Sequence, residues 1–332
     1  MERFALAAAV VLGFALTAAL CSLFVPLRRV LERREQQQPV QSEQPRPAPL
    51  RAPLWGGLCA AAGTVAAVGV GWLAACVGQP ELLGSEGRLM TRLLTALAGS
   101  LAFGAVGLAE DLARMRSPAA LGLRRDVRLL LEVLAAAFVL LLLRAAGCLP
   151  RGLGVPGAGY VLLGSAVPFL WAVLMVTLAE CARIAERDEG TVCGAAFAAM
   201  LALMMVEAGL GVSGLAVLPG ALAGALVALG LWAFPPAKLG AGCCGSLLAA
   251  GAIGCIPLSL DMTSLTVPLA LPFWAAGGLL AAQLLCAKRT GRPLRCWVKK
   301  HKMSPETVFL CSFALSAVGS VLALALALLR WC

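Results

Sequence analysis

The sequence predicts an all-α polytopic membrane protein with about ten transmembrane helices and both termini outside. Three observations lead there. Of the 332 residues, 61% are hydrophobic and only 13% are charged. Apolar runs of about 20 residues recur along the chain, long enough to cross a hydrocarbon core of roughly 30 Å as helices. These runs are continuous and lack the period-two alternation of a membrane barrel.

The expected spans, in order, are Phe4–Leu27, Leu54–Val77, Leu93–Ala109, Leu129–Ala146, Tyr160–Ala179, Thr191–Val206, Gly214–Phe234, Gly245–Leu260, Leu265–Cys286 and Val308–Leu329. The first reads as an uncleaved span: "MER" ahead of it has no net charge, Arg28 and Arg29 follow as a stop, and Leu20 in "TAALCS" is too large for a lipoprotein cleavage site. Between the first two spans, "EQQQPVQSEQPRPAPLRAP" is rich in Gln and Pro and is read as a flexible cytoplasmic tether at about residues 32–52. The whole of 1–332 otherwise forms a single integral membrane domain. Runs such as "GGLCAAAGTVAAVGVG" and "GALAGALVALG" let helix backbones approach closely. Pro268, Pro272, Gly277 and Gly278 fall inside the ninth span, where they predict a bend or break.

Orientation follows from Lys and Arg. With the first loop cytoplasmic, 21 of the 27 basic residues fall on that side, including Arg114, Arg128, Arg183, Lys238 and the run from Lys288 to Lys302. The net charge of +10 therefore gathers on one face, which suits anionic lipid head groups and anionic soluble substrates. Nucleic acid is not an expected partner, because no soluble domain is present to hold it. The 13 cysteines form no CxxC pair and read as small apolar residues, with the vicinal Cys243 and Cys244 standing apart.

Acidic residues near membrane depth are few, and each asks for a reason. Glu110 and Asp111 end the third span, Glu132 lies one turn inside the fourth, Glu180 ends the fifth, and Glu207 ends the sixth on the outer side as a solvated helix end. Glu132 follows Arg128 by four residues and so shares its helix face. No span carries an ionisable relay through the full membrane thickness, which disfavours a small-solute transporter.

Several short stretches, in order, resemble the signatures of the polyprenyl-phosphate N-acetylhexosamine-1-phosphate transferases, most of all the phospho-N-acetylmuramoyl-pentapeptide transferase branch. "APLWGG" is similar to T-P-T-x-G-G, and "FGAVGLAEDLARMR" to F-G-x-x-G-F-x-D-D-x-x-K. "GLRRDVRLLLE" is similar to G-L-x-x-R-x-K-x-x-x-Q, with Arg128 and Glu132 in the last two polar places. "FPPAKLGAGCCGSL" is similar to P-A-K-x-F-M-G-D-[ST]-G-S-L, and "KRTGRPLRCWVKKHKM" resembles a basic loop ending in a histidine cluster.

The resemblance implies transfer of a phospho-N-acetylhexosamine, such as phospho-MurNAc-pentapeptide, from a UDP-sugar to polyprenyl phosphate, with release of uridine monophosphate. It further implies a Mg2+ ion held by Asp111 and Glu180, catalytic roles for Glu110, Asp111, Glu180 and His301, and substrate-binding roles for Arg128, Glu132, Lys238 and Lys300. A UDP-N-acetylhexosamine donor, polyprenyl phosphate, the lipid bilayer and a homodimeric partner belong to the same picture, as does a multi-pass place in a bacterial inner membrane. Four departures stand out. Cys243 occupies the metal-binding aspartate place, and thiolate is a soft ligand for a hard ion. Glu110 replaces the first aspartate of a pair, Thr177 stands at an asparagine place in "VTLAECARIAERDEG", and the histidine cluster keeps only His301. Impaired transfer is expected, or a catalytically silent relative that binds lipid phosphate or serves as a partner subunit.

Overall fold

In a bilayer no water is available to satisfy backbone N–H and C=O groups, so each long apolar run closes its hydrogen bonds within itself as a helix. The computed structural model describes residues 2–37, 55–78, 87–116, 122–150, 152–155, 159–162, 164, 166–186, 190–235, 237–290 and 304–329. Helices α1 (Glu2–Gln37), α2 (Gly56–Gly78), α3 (Gly87–Arg116) and α4 (Arg125–Ala145) come first. A hairpin of β1 (Gly152–Val155) and β2 (Gly159–Leu162) follows, then α5 (Ala166–Ala185), α6 (Thr191–Gly209), α7 (Ser213–Ala233) and α8 (Gly242–Ser259). A 3-10 turn at Thr263–Leu265 leads into α9 (Thr266–Leu269) and α10 (Leu271–Thr290), and α11 (Pro305–Leu329) is last.

Among the described residues, eight helices are individually long and apolar enough to cross a membrane, and nine spans result if the bent pair at 263–282 counts as one. The bend measures 62° and falls where Pro268 and Pro272 predict it, with Ala270 between the two helical pieces. Helix α4 coincides with the fourth expected span but carries Arg128, Glu132 and Arg144, and it does not count among the eight.

Several boundaries differ from the sequence expectation, among them those of α3, which runs from Gly87 to Arg116, so that Glu110 and Asp111 lie inside the helix and not at its end. Helix α1 runs to Gln37, past residue 32 where the tether is expected to begin, and residues 38–52 of that expected tether lie outside the described ones. Tyr160 does not open the fifth span. It pairs with Gly154 in the antiparallel hairpin, since Pro156–Gly157 splits "GLGVPGAGYVLL" into two short runs flanking a turn signal. Helix α5 therefore starts at Ala166 and continues past Glu180 to Ala185, so Glu180 lies inside the helix and not at its end. Glu207, expected as a solvated end, is 1% exposed, because α6 runs on to Gly209 and buries it in its last turn.

The centre of the bundle is α8, buried over its whole length and packed on α2, α3, α5 and α6. Only small residues permit this. Gly107 of α3 sits so close to α8 that a Cβ there would collide with the Cys243 backbone carbonyl, an atom that cannot swing away. Gly107→Ala is accordingly expected to cost about 1–3 kcal/mol and to lower the melting temperature in detergent. Gly69→Ala, at a glycine with nothing within 4 Å of the added methyl, should be neutral or slightly stabilising in the same measurement.

Candidate functional site

Helix α8 begins without a cap of its own. Ala241 stands at its N-cap position with no side-chain hydrogen bond, although the first turn of any helix leaves backbone N–H groups without partners inside it. Gly242 takes φ +67°, a left-handed conformation that glycine adopts without steric cost, and this turns the incoming loop so that three successive N–H groups face other helices. Their acceptors come from far along the chain. Gly242 N donates to Glu186 Oε1 at 2.7 Å, Cys243 N to Asp111 Oδ1 at 3.0 Å, and Cys244 N to Asp111 Oδ2 at 2.8 Å. The positive end of the helix dipole favours carboxylates in these positions. Burial pushes the Glu186 carboxyl well above the usual carboxylate range, against the pull of the Gly242 N–H, while the negative charge of Asp111 adds to the rise and Arg114 opposes it.

A second cluster lies beside this clasp, built on three helices. Arg128 of α4 donates from Nε to Glu180 Oε1 of α5 at 2.9 Å and sits 3.5 Å, through Nη1, from Glu110 Oε1 of α3. Arg114 Nη2 donates to that same Glu110 oxygen at 2.6 Å, and Arg183 Nη2 donates to Glu180 Oε2. Glu132 is fully buried one turn below Arg128, whose Nε is 3.9 Å away, and neither of its carboxylate oxygens has a hydrogen-bond partner. The cluster thus has a closed floor of Arg128, Glu110 and Glu132, with side chains 8%, 3% and 0% exposed, and a more open side formed by Arg114, Glu180 and Arg183 at 26%, 23% and 14%.

Four of the five signature stretches meet here. Gly56 N donates to Gly240 O at 3.2 Å, and Gly57 packs directly on Gly245, which joins the first signature to the fourth. The second reaches the fourth through Asp111 and Gly107, and the third reaches the second through Arg128 and Glu110. Lys238 is exposed in the loop before α8, its backbone N–H bonded to Trp232 O at 2.8 Å. His301 and Lys300 lie outside the described residues.

Sequence reasoning missed Glu186. The signature N-x-x-N-x-x-D-G-x-D-G, anchored on its final glycine at Gly190, puts Glu186 and Glu189 on the two acidic places and Glu180 and Arg183 on the two asparagine places. Glu186 then belongs to the site by spacing as well as by its bond to Gly242, whereas the expected alignment had kept Glu180 alone.

The residues present do not fit the magnesium ion that the resemblance implies. Such an ion takes one or two carboxylates, with waters and substrate phosphates completing its octahedron. Both oxygens of Asp111 accept backbone N–H groups, and both oxygens of Glu180 are taken by arginines. Glu110 Oε2 and the two Glu132 oxygens are unpartnered, but they lie in the floor beside the positive charge of Arg128. At the place of the expected aspartate, Cys243 offers a buried thiol. Among the described residues no group of three His, Cys, Asp or Glu could hold a metal ion; Asp111, expected as a metal ligand, accepts two N–H groups at the start of α8, and Glu180, expected beside it, pairs with guanidinium groups.

A family model described as Glycosyl transferase family 4 matches residues 93–261, which include α8 and every acid and arginine of the two clusters. The chain is also similar to phospho-N-acetylmuramoyl-pentapeptide-transferase of Geobacillus kaustophilus (strain HTA426), with 26% identity over 308 residues that cover 92% of this chain and 89% of the relative.

Removing one member of a buried charge network strands the others. Arg128→Met leaves Glu110, Glu132 and Glu180 short of a counter-charge, and it is expected to cost about 3–5 kcal/mol in chemical or thermal unfolding in detergent. Arg114→Met, whose side chain is a quarter exposed and meets Glu110 alone among its ion-pair partners within 4 Å, should cost less than half as much.

Proposed function

The chain belongs to glycosyl transferase family 4, and on that footing we propose that it is a membrane phosphosugar transferase of much reduced activity. Its substrates in this reading are a UDP-N-acetylhexosamine donor and polyprenyl phosphate, in the inner membrane of a bacterium, within cell-wall or polysaccharide synthesis. The likeness to the Geobacillus enzyme over nearly the whole chain supports this choice of substrates.

One observation carries the reduction in activity. Asp111, an acid in register with the family's aspartate pair, spends both carboxylate oxygens on the N–H groups of Cys243 and Cys244. With one lone pair of each oxygen spent in this way, Asp111 is fixed in place by the central helix and cannot turn both oxygens toward a cation without unclasping it. The arginines offer a different contribution. Guanidinium groups at Arg114, Arg128 and Arg183 can orient and partly neutralise two phosphate groups brought close together, which is the main electrostatic obstacle in such a transfer. The lipid phosphate oxygen attacks the sugar-bearing phosphorus, the bond to the uridine monophosphate oxygen breaks, and the nucleotide leaves. Nothing in the clasp or the arginine cluster adds a strong nucleophile to this step, so positioning is the larger part of what the chain supplies.

The alternative of a silent relative, binding lipid phosphate or a partner chain, rests on the same occupied acid. Release of uridine monophosphate separates the two readings. With UDP-N-acetylhexosamine, polyprenyl phosphate and magnesium, the purified chain is expected to run about 100-fold or more below the Geobacillus relative assayed alongside. Equal rates would reject impairment, and a rate no higher than a protein-free blank would favour the silent relative. Cys243→Asp alone is expected not to recover the rate, because the new carboxylate would face an Asp111 already held by the α8 backbone.

A further inference from the structure

Glu180 is the most exposed acid of the arginine cluster, and it is the one that two arginines share. Its two oxygens are split between Arg128 and Arg183, which brings two guanidinium forks to a single carboxylate at the open side of the cluster. A carboxylate spanning two arginines occupies the place, and satisfies the donors, that a phosphate monoester would. Each guanidinium has five N–H donors in a plane matched to such oxygens, and few are used here. Arg183 Nε in particular is buried with no partner. The floor beneath is already balanced: Arg128 is 8% exposed, packed against Glu110 and Glu132, and cannot withdraw without leaving both acids bare. A divalent cation entering the same space would stand beside three fixed positive charges, with both Asp111 oxygens committed elsewhere.

We propose that Glu180 is a displaceable counter-ion: a phosphate monoester takes its place on Arg128 and Arg183, and the ligand is held there without a divalent cation. The inference rests on the reading that this site meets a phosphorylated lipid, and it replaces the ion that such a site would ordinarily require with guanidinium groups of the chain itself. Glu180 swings outward as the ligand enters, so it competes with the ligand and does not help bind it.

The test uses the full chain in detergent, with farnesyl monophosphate as the probe and farnesol as the phosphate-free control. The dissociation constant for farnesyl monophosphate should agree within about twofold in EDTA and in magnesium. Glu180→Gln, a near-isosteric change checked for folding by its melting temperature, should tighten binding by about fivefold or more, since the competing charge is gone, and Arg183→Gln should weaken it by about tenfold. The paramagnetic resonance signal of Mn2+ should be unchanged by the protein. Binding that fails only in EDTA, weaker binding by Glu180→Gln, or stoichiometric loss of the free Mn2+ signal each overturns the inference while leaving the functional reading intact. If farnesyl monophosphate binds no better than farnesol in either medium, the functional reading itself falls and this inference falls with it; the Mn2+ signal still reports separately on the cation.

Discussion

Three backbone N–H groups at the start of α8, received by two carboxylates from other parts of the chain, hold the architecture of this protein together. Helix α8 is the buried axis of the bundle and lacks a capping residue of its own. In a low-dielectric surrounding an unpaired N–H is expensive, and the carboxyl oxygens of Asp111 and Glu186 remove that cost by accepting the three N–H groups. The same bonds tie α3 and the α5–α6 turn to α8. The glycines at 57 and 107 allow the approach, and the positive φ of Gly242 aims the donors. In this structure the clasp caps α8 and joins distant parts of the chain to it.

The arginine cluster next to the clasp follows from the need to keep acids charged in this setting. Glu110, Glu132 and Glu180 come from three helices and could not share one end of the bundle without cations among them. Arg128 reaches all three and closes the floor, while Arg114 and Arg183 complete the balance where the cluster opens. Guanidinium is well suited to this, since its charge is spread over a planar fork that serves two carboxylates at once. Three acids and three arginines leave little reason for an additional ion.

Much of this could be read from the residues. Helical spans, the proline bend near Ala270 and the Arg128–Glu132 pairing were all legible, because hydropathy, backbone chemistry and i, i+4 spacing are local properties. The order of the signatures also pointed to a single meeting place, and four of them do meet around α8. The remainder was not local. Glu207 looked like a solvated end because burial depends on where a helix stops, which the left-handed Gly211 decides and hydropathy does not. The contacts of Asp111 and Glu180 could not be read, since an acid looks the same in a sequence whether it faces an ion, an arginine or the start of a distant helix. Tyr160 was drawn into a span by its apolar neighbours, although Pro156–Gly157 had already signalled a turn.

The partners in the Asp111–Cys243 bond are separated by 132 positions along the chain. During synthesis, α3 enters the bilayer long before α8 is made, and its Asp111 must wait at the boundary with no backbone to receive it. When α8 does arrive, its first turn has no local way to satisfy itself. Insertion of the central helix and its docking against α3 are thus one coupled event, and the middle of this protein closes only after α1 to α7 have been made, with α9, α10 and α11 still to follow.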